Sequence, residues 1–408
     1  MDSIFSPTNV LKHLAIFIFF LVYLNCFSQH YSKSWKDLNY AGDTLEYHRL
    51  DIYLPEEEKP TYPVVISIYG SAWFGNDLKG TDLATIGNAL LDAGFAVVTP
   101  NHRSSTDAKF PAQIHDIKAT IRFIRANAEK YQIDASFIGI TGSSSGGHLA
   151  SLAGTSGFVK QYTVGSTTAD LEGNIGQFTT YSSSVNAVVD WFGPTDFLVM
   201  DSCGSSMVHN AANSPESSLI GGPIQYNRDK CALANPITYI DADDPPFLIF
   251  HGDADPLVPY CQSELLFNTL QRENVPSQFV LVPNAQHGPG LFVEQYFKMM
   301  TDFFIMESEI TKVDTKNRIT PAKFSVSQNY PNPFNPSTLI RFYLPSPENV
   351  TVKVFNIAGE EIETLMQGEI PAGQHEIYWM ANHLASGVYI YLLQADKFRD
   401  SKKMILQK

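Results

Sequence analysis

A Gly-Ser-Ser-Ser-Gly stretch at residues 142–146 is the feature that most limits how this chain can fold. The apolar run 137–141 before it predicts a short buried strand, and residues 147–153 after it predict the start of a helix. The pattern G-x-S-x-G between a strand and a helix is typical of a sharp turn that exposes its central serine. The strained backbone of such a turn requires small residues two positions before and after the serine. Ser144 is therefore the candidate nucleophile.

A serine hydroxyl reacts at neutral pH when a histidine takes its proton and a carboxylate orients that histidine. Both residue types follow along the chain. The apolar run 247–250 predicts a strand whose following loop contains Asp255, and the run 279–282 predicts a strand whose following loop contains His287. In an open α/β sheet, loops at the carboxyl ends of the strands form the site. We therefore expect Ser144, Asp255 and His287 to meet.

Other acids and histidines lie close to these candidates along the sequence. Asp253 comes early in its turn, where acidic side chains commonly bind the local backbone. For that reason Asp255 is favoured over it. His251 ends its predicted strand and is expected to pack or to cap. His148 is too close to Ser144 along the chain to act as its base, and we expect it to tie down neighbouring loops.

Backbone N–H groups that stabilise a developing negative charge on oxygen are expected after the predicted strand 64–69. The turn that follows, 70–73, stands where related turns read His-Gly-Gly-Gly, but Tyr69 replaces the histidine and Ser71 and Ala72 replace two glycines. Because main-chain donors are used, Ser71 can donate as well as glycine if its backbone torsions suit a side chain. We expect Gly70 or Ser71 to supply one donor and Ser145 the other.

Strands alternate with helices through most of the chain, which predicts an α/β fold with a mostly parallel sheet covered on both faces. The segment 114–130 predicts an amphipathic helix, with isoleucines at helical spacing and Lys and Arg on the opposite face. Trp73 and Trp191 both follow predicted strands, so they are candidate pocket residues. An ordinary place in the core is the alternative for each.

Two polar, Gly/Ser-rich stretches, 154–181 and 202–230, separate the Ser144 turn from the Asp255 strand. Long segments without clear periodicity commonly serve as lids or mobile loops, and we expect these to roof the pocket. Cys203 and Cys231 flank the second stretch, and in an exported protein they are expected to form a disulfide, with two free thiols as the alternative. Cys261 is then left over, buried at a helix start.

The order Ser, Asp, His along the chain and several further segments resemble the α/β-hydrolase esterases, a family that includes hormone-sensitive-lipase-like enzymes and bacterial feruloyl and acetyl-xylan esterases. The Bacteroidetes-type feruloyl esterases fit best, and the resemblance covers about residues 40–300. Besides the candidate site, the matching segments are 50–55, 101–104, 110–116, 188–196 and 235–237.

This resemblance implies a serine esterase that acts through Ser144, His287 and Asp255 on feruloyl or acetyl esters of plant polysaccharide. The departure at 69–73 affects the expected substrate preference and rate more than the reaction class. A general small-ester carboxylesterase or a lipase would use the same three residues, although the polar loops do not suit the broad apolar lid of a lipase. A catalytically silent binding protein is the alternative from another class.

The C-terminal part has a different pattern, in which short alternating runs at 339–344, 350–357, 375–380 and 388–394 are separated by Pro and Gly turns. This pattern predicts a small all-β sandwich at residues 323–408. Together with the motif at 330–338 and the basic Lys402-Lys403, it resembles the C-terminal sorting domain of the type IX secretion system. That resemblance implies the secretion machinery as a partner, with a carbohydrate-binding module as the rival interpretation.

An apolar run at 14–24 after Lys12-His13 predicts a secretory signal peptide over residues 1–28. The predicted organisation is then a catalytic domain at 29–307, a linker at 308–322 and the sorting domain. We expect a protein secreted or displayed at the cell surface through the periplasm of a Gram-negative bacterium, without a membrane span once mature. The formal net charge of −14 argues against nucleic-acid binding. No cofactor motif or metal-ligand spacing is present, and none of either is expected.

Overall fold

The computed structural model describes residues 30–316, 324–329, 332–370, 373–395 and 398–408. The predicted signal peptide lies outside the described residues. The chain divides into two units, the first ending at Phe292 and the second beginning at Val293. The limits 29–307, 308–322 and 323–408 that the sequence suggests remain predictions.

The described part of the first unit, residues 30–292, contains ten strands, eight of which form one sheet. These strands are β1 Tyr31–Asn39, β2 Arg49–Pro55, β3 Tyr62–Ile68, β4 Ala96–Pro100, β5 Ile133–Ser143, β6 Gln161–Val164, β7 Thr167–Asp170, β8 Ala187–Trp191, β9 Phe247–Gly252 and β10 Ser277–Val282. The sheet order is β1-β2-β4-β3-β5-β8-β9-β10, and β6 pairs with β7 in a separate hairpin. β2 pairs antiparallel with both β1 and β4. The pairs from β4 through β10 are parallel.

The central strands are buried on both faces, as parallel strands under helices must be. In β3, for example, Val64, Val65 and Ile66 are all fully buried. This explains why each of these strands appears in the sequence as a continuous apolar run rather than as an alternating one. The prediction of a mostly parallel α/β sheet is confirmed.

Helices cover the sheet and fill the connections between its strands. They are α1 Asn88–Asp92, α2 Ala112–Ala126, α3 Ser145–Thr155, α4 Pro215–Ile220, α5 Arg228–Ala234 and α6 Cys261–Arg272, while α7 Glu294–Lys316 belongs to the second unit. Leu83–Gly87 forms a π-helical turn before α1, and four 3-10 turns lie at Glu46–His48, Met200–Cys203, Ile224–Tyr226 and Pro236–Thr238.

Helix α2 differs from the amphipathic helix that its sequence predicts, because its basic face is buried as well. Lys118 and Arg122 are essentially inaccessible to solvent. Both form ion pairs with Glu172, and Lys118 Nζ also donates to the carbonyl of Ser156 at 2.6 Å. Burial lowers the pKa of Lys118, and Glu172 opposes that shift. The polar stretch 154–181 therefore covers α2 instead of roofing a pocket.

Seven antiparallel strands in two sheets are present among the residues described in the second unit. They are β11 Ser325–Val326, β12 Ser337–Leu344, β13 Glu348–Asn356, β14 Glu361–Ile370, β15 Gly373–Met380, β16 Gly387–Ala395 and β17 Phe398–Leu406. The sheet orders are β11-β12-β15 and β14-β13-β16-β17. Alternate residues of β13, such as Val350 and Val352, share a buried core with Ile340 and Phe342 of β12. The predicted all-β sandwich is confirmed, with β11, β14 and β17 as strands that the sequence interpretation omitted.

Helix α7 continues to Lys316, so the first part of the segment 308–322 that the sequence assigns to a linker is helical. No Pro or Gly occurs between Ser308 and Thr320, so nothing in the local sequence stops the helix. The remainder of that segment, from 317, lies outside the described residues. Among the helices that the structure describes, none is long and apolar enough to cross a bilayer.

Candidate active site

Ser144 lies at the sharp turn between β5 and α3, where its backbone has φ 54° and ψ −121°. This strained conformation is held because the turn is packed on all sides. A Cβ atom on Gly146 would lie 2.2 Å from the carbonyl oxygen of Ile68, and one on Gly142 would lie 2.4 Å from Gly146. Both positions therefore require glycine, for the reason that the sequence pattern predicts.

Ser144, His287 and Asp255 form a continuous line of hydrogen bonds. Ser144 Oγ lies 2.9 Å from His287 Nε2, and His287 Nδ1 lies 2.7 Å from Asp255 Oδ2. Asp255 follows β9 and His287 follows β10, its parallel neighbour. The His287 ring also packs edge-on against Phe192, with 4.6 Å between ring centroids. The structure thus brings together the three side chains that the sequence singles out.

The side chain of Asp255 is fully buried, and four groups surround its carboxylate. Oδ1 accepts hydrogen bonds from the backbone N–H groups of Leu257 and Val258 at 2.8 and 3.0 Å. Oδ2 contacts His287 and also lies 3.4 Å from Nε2 of His251. Burial alone raises the pKa of Asp255, but the hydrogen bonds from His251, His287 and the backbone outweigh burial and hold this pKa well below its usual range. The acid is therefore ionised at neutral pH.

The other candidate acid and the candidate histidine nearest to Ser144 in sequence have structural roles. Asp253 Oδ1 accepts a hydrogen bond from the backbone N–H of Asn284 at 2.6 Å, within the loop that leads to the site histidine. His148 is buried, with Nε2 2.8 Å from the carbonyl of Ala234 and Nδ1 accepting from Trp73 Nε1 at 3.3 Å. Burial lowers the pKa of His148 to about 4, so the ring is neutral and joins the two loops.

The turn expected to supply the oxyanion donors lies against the Ser144 turn. A Cβ atom on Gly70 would lie 2.7 Å from the carbonyl oxygen of Ser143, so the two turns touch through their backbones. The Ser71 N–H donates to Oγ of Ser145 at 2.8 Å. The Ser71 N–H is therefore already paired with a side-chain hydroxyl.

The side chains at and beside this turn explain how its backbone conformation is maintained. Ala72 and Trp73 have φ values of 51° and 59°, in the left-handed region that disfavours side chains. Tyr69 stacks on His102 with 4.9 Å between ring centroids, and its hydroxyl donates to the carbonyl of Gly75 at 3.2 Å. Tyr69 therefore bridges the two ends of the turn and holds two residues in an unfavourable conformation.

We expect Ala72→Gly to stabilise the protein, because glycine adopts a positive φ without a steric penalty. The gain in the free energy of unfolding should be about 0.5–1 kcal/mol after the larger entropy of glycine in the unfolded chain is subtracted. Urea unfolding followed by circular dichroism measures this shift. Ala89→Gly, in helix α1, is the matched control and should destabilise by about 1 kcal/mol. Loss of stability in both variants would contradict the inference that the backbone at Ala72 is strained.

A cavity of about 350 Å³ opens beside Ser144 and His287. The predicted residues Gly70, Ser71, Ser145 and Trp73 all belong to its lining. Trp191 does not, although the sequence made it a pocket candidate. It is fully buried and stacks on Phe250, with 4.2 Å between ring centroids. Trp191 therefore supports the sheet beneath the cavity, which is the core alternative.

The polar stretch 202–230 does contribute to the cavity, through Met207, His209, Pro215 and Glu216. The sequence interpretation identified neither His209 nor Glu216. Both residues reach the cavity because an irregular segment folds back over the site. No local sequence pattern indicates that this segment does so. The other stretch, 154–181, provides none of the lining residues.

The predicted disulfide between Cys203 and Cys231 is wrong. Cys203 is bonded to Cys261, at a Cα–Cα distance of 6.2 Å, and Cys231 is a free, buried cysteine. Cys231 lies within α5 in the core, whereas Cys203 ends a 3-10 turn that reaches the start of α6. The nearer partner along the sequence is thus not the nearer one in space.

Removing the Cys203–Cys261 bond should lower the free energy of unfolding, because it closes a loop of 58 residues. Loop entropy predicts a loss of about 4 kcal/mol for a loop of this length. The double variant Cys203→Ser and Cys261→Ser, compared with the oxidised protein by urea unfolding, measures it. Peptide mapping without reductant should link Cys203 to Cys261 and leave Cys231 alkylated. A peptide that links Cys203 to Cys231 would contradict this pairing.

The mostly parallel sheet, the serine at a strand–helix turn and the later loops with aspartate and histidine define an α/β-hydrolase fold. Residues 50–270, more than half of the chain, match the BD-FAE family. The chain belongs to this family. Residues 328–407 match the secretion system C-terminal sorting domain.

Similar proteins include two solved structures with high identity. A truncated form of a carbohydrate esterase from gut microbiota is 52% identical, and the match covers 69% of this chain and 98% of that one with a TM-score of 0.67. A bifunctional GH43-CE protein from Bacteroides eggerthii is 56% identical, with coverage of 67% and 35% and a TM-score of 0.65. The probable carboxylic ester hydrolase LipM of Mycobacterium tuberculosis is 30% identical over 62% of this chain. The match spans 57% of that relative's length.

Proposed function

We propose that the protein is an exported carboxylic ester hydrolase that forms an acyl-enzyme on Ser144. The observation that carries this proposal is the line from Ser144 Oγ through His287 to the buried carboxylate of Asp255, with distances of 2.9 and 2.7 Å. Such a line is the arrangement that turns a serine hydroxyl into a nucleophile.

The reaction follows from the roles of these three groups. Oγ of Ser144 attacks the ester carbonyl carbon, and His287 Nε2 takes the hydroxyl proton. The ionised Asp255 holds the proton on Nδ1 and stabilises the imidazolium that forms. His287 then gives its proton to the departing alcohol, and the same base activates a water molecule that hydrolyses the acyl-enzyme.

The oxyanion is expected to bind where the two turns meet. The N–H of Ser145 begins helix α3, whose dipole favours negative charge at that end. The N–H of Ser71, or that of Gly70, completes the pair of donors. Because Ser71 N–H now donates to Ser145 Oγ, the substrate oxygen displaces this hydroxyl when it binds. Each backbone donor of this kind is worth about 10² to 10³ in kcat.

The proposed substrates are feruloyl or acetyl esters on plant polysaccharide. Two features support this class: the carbohydrate esterases among the solved structures with more than 50% identity, and the sorting domain expected to carry the protein out of the cell. A general carboxylesterase acting on small esters is the second candidate, because LipM is named a probable carboxylic ester hydrolase without reference to carbohydrate.

The test is chromatography of the free acids that the mature protein releases from cereal arabinoxylan, with Ser144→Ala as the blank. Release of ferulate or acetate by the unaltered protein alone is the expected result. Hydrolysis of small esters without release of either acid from polysaccharide would favour the second candidate. Failure of Ser144 to react with a fluorophosphonate probe would point instead to a silent binding protein.

Deleting residues 323–408 should leave hydrolysis intact and hold the protein in the periplasm, because this part is proposed to be read by the type IX secretion machinery. Activity measured in periplasmic and medium fractions of the native host tests this expectation. Truncation after Gln407, which removes one residue, is a mild control. Normal release of the shortened protein to the medium would contradict the proposed sorting role.

A further inference from the structure

Two ionisable side chains besides His287 line the cavity, and both come from the segment that folds over it. His209 and Glu216 are only 2% and 3% exposed. Charged groups are rarely buried to this extent unless they are paired or serve a ligand. Three neighbouring residues that line the cavity are apolar, namely Met207, Pro215 and Leu257.

The hydrogen bonds of His209 fix the orientation of its ring beside Glu216. His209 Nδ1 lies 2.9 Å from Oε1 of Glu216, and Nε2 lies 2.9 Å from the carbonyl of Leu257. Oγ of Ser205 also lies 2.9 Å from Nε2. A carboxylate can only accept, so Nδ1 donates to Glu216, and hydrogen bonds at both nitrogens hold the ring in place. Burial lowers the pKa of His209, but the bond to Glu216 outweighs it and leaves this pKa raised. With the ring protonated, the two side chains form an ion pair.

The second carboxylate oxygen of Glu216 is left without a partner. Oε2 is buried, and no donor in the described part of the chain forms a hydrogen bond with it. Buried acceptors in folded proteins are nearly always satisfied, and one that carries charge is costly to leave unpaired. Because Glu216 lines the cavity, a donor from a bound molecule that reaches this oxygen would satisfy it.

The segment carrying this pair is held firmly to the loop that contains Asp255. The backbone N–H of Ser206 donates to the carbonyl of Pro256 at 3.0 Å, and Ser205 Oγ donates to that of Leu257 at 2.9 Å. The Cys203–Cys261 disulfide lies just before it. The position of Glu216 is therefore set before any ligand arrives, as a specificity group requires.

We propose that Glu216, oriented by His209, is a specificity-determining residue that accepts a hydrogen bond through Oε2 from a hydroxyl group of the ester substrate. This inference rests on the proposed function and names the chemistry that the cavity selects. The hydroxyl is a neutral donor that can belong to the acyl group, as a phenol, or to the sugar that carries it. His209 is a positioning residue, because its own donors are used within the protein.

The experiment compares esters that differ by one hydroxyl group. Methyl 4-hydroxycinnamate and methyl cinnamate test the acyl side. A monoacetylated methyl xyloside and its deoxy counterpart, which lacks the neighbouring hydroxyl, test the sugar side. The quantity measured is the ratio of kcat/KM within each pair, for the unaltered protein, Glu216→Gln and Glu216→Asp. Glu264→Gln, at an exposed site on α6, is the matched control.

We expect the unaltered protein and the control to favour the hydroxylated member of one pair by about 10- to 100-fold, the range for a hydrogen bond to a charged group. The pair that shows this preference identifies the source of the hydroxyl. In both Glu216 variants the ratio should fall towards one. The aspartate variant keeps the charge but withdraws the carboxylate by one methylene, so it tests reach separately from charge.

Each of the following results would contradict either the role of Glu216 or the proposed function itself. Ratios near one in both pairs for the unaltered protein, with hydrolysis that depends on Ser144, would overturn the role of Glu216 and leave the proposed function standing. A strong preference that persists in a folded Glu216 variant would do the same. If none of the four esters is hydrolysed, the proposed function fails and the inference fails with it.

Discussion

Replacing Ser144 with alanine is expected to lower kcat for ester hydrolysis by about 10⁶-fold, as loss of the nucleophile does in serine hydrolases. Alanine keeps the Cβ atom, so the backbone at φ 54° retains its strain and the turn its packing. The loss should therefore come from the missing hydroxyl alone. Kinetics with 4-nitrophenyl acetate, together with the unfolding midpoint, measure both quantities.

Ser182→Ala is the matched control for this variant. Ser182 is exposed, and its hydroxyl pairs with that of Ser184. The control should hydrolyse the ester at the unaltered rate. If Ser144→Ala kept more than a tenth of the activity, the nucleophile would have to lie elsewhere. The remaining rate above that in buffer measures what the oxyanion donors contribute without the serine.

Replacing Asp255 with asparagine is expected to lower kcat by about 10⁴-fold, through the wrong tautomer of His287. Oδ1 of the acid accepts two backbone N–H groups, so the amide oxygen of asparagine must take that place. The amide NH₂ then faces His287 Nδ1 and donates to it. The histidine proton moves to Nε2, where it blocks acceptance of the proton from Ser144.

Asp253→Asn is the control for this variant, because it alters a neighbouring acid whose side chain accepts from the backbone N–H of Asn284 in the loop that leads to His287. Its loss of activity should be far smaller. Equal losses in the two variants would show that the loop, and not the tautomer, is responsible.

The depressed pKa of Asp255 also sets a pH dependence with a definite sign. A carboxyl whose pKa is lower in the folded than in the unfolded chain stabilises the fold above the unfolded pKa, near 4, and this stabilisation is lost as the pH falls further. Between pH 5 and 8 the acid stays ionised. A fall in activity across that range therefore has another origin, and the difference in unfolding free energy between the unaltered protein and Asp255→Asn should shrink only below about pH 4.

Local rules account for the part of the site that the sequence predicts. The turn at Ser144 needs glycine at two fixed positions, and the loops of Asp255 and His287 follow short apolar strands, so each signal lies within a few residues. The parallel sheet brings the ends of neighbouring strands together, and no side-chain detail is needed for that. The three side chains consequently lie within hydrogen-bond distance in the structure.

Contacts between distant segments account for what the sequence does not predict. Cys203 finds Cys261 across 58 residues, because the irregular segment after β8 folds back towards the start of α6. Glu216 lines the cavity for the same reason. Lys118 lies on a helix face whose residue spacing is typical of a solvent-exposed face. It is buried because the segment that carries Glu172 covers it. None of these contacts has a periodic or short-range signal.

The position of the site across the sheet has a consequence for how the protein regains its activity after denaturation. Ser144 and His287 are 143 residues apart, and they meet only when β5, β8, β9 and β10 have all joined in register. Long-range parallel pairing of this kind is slow to form compared with helices. A chain that has recovered its helical signal is therefore expected to be inert still, and the return of hydrolysis should mark the joining of these four strands.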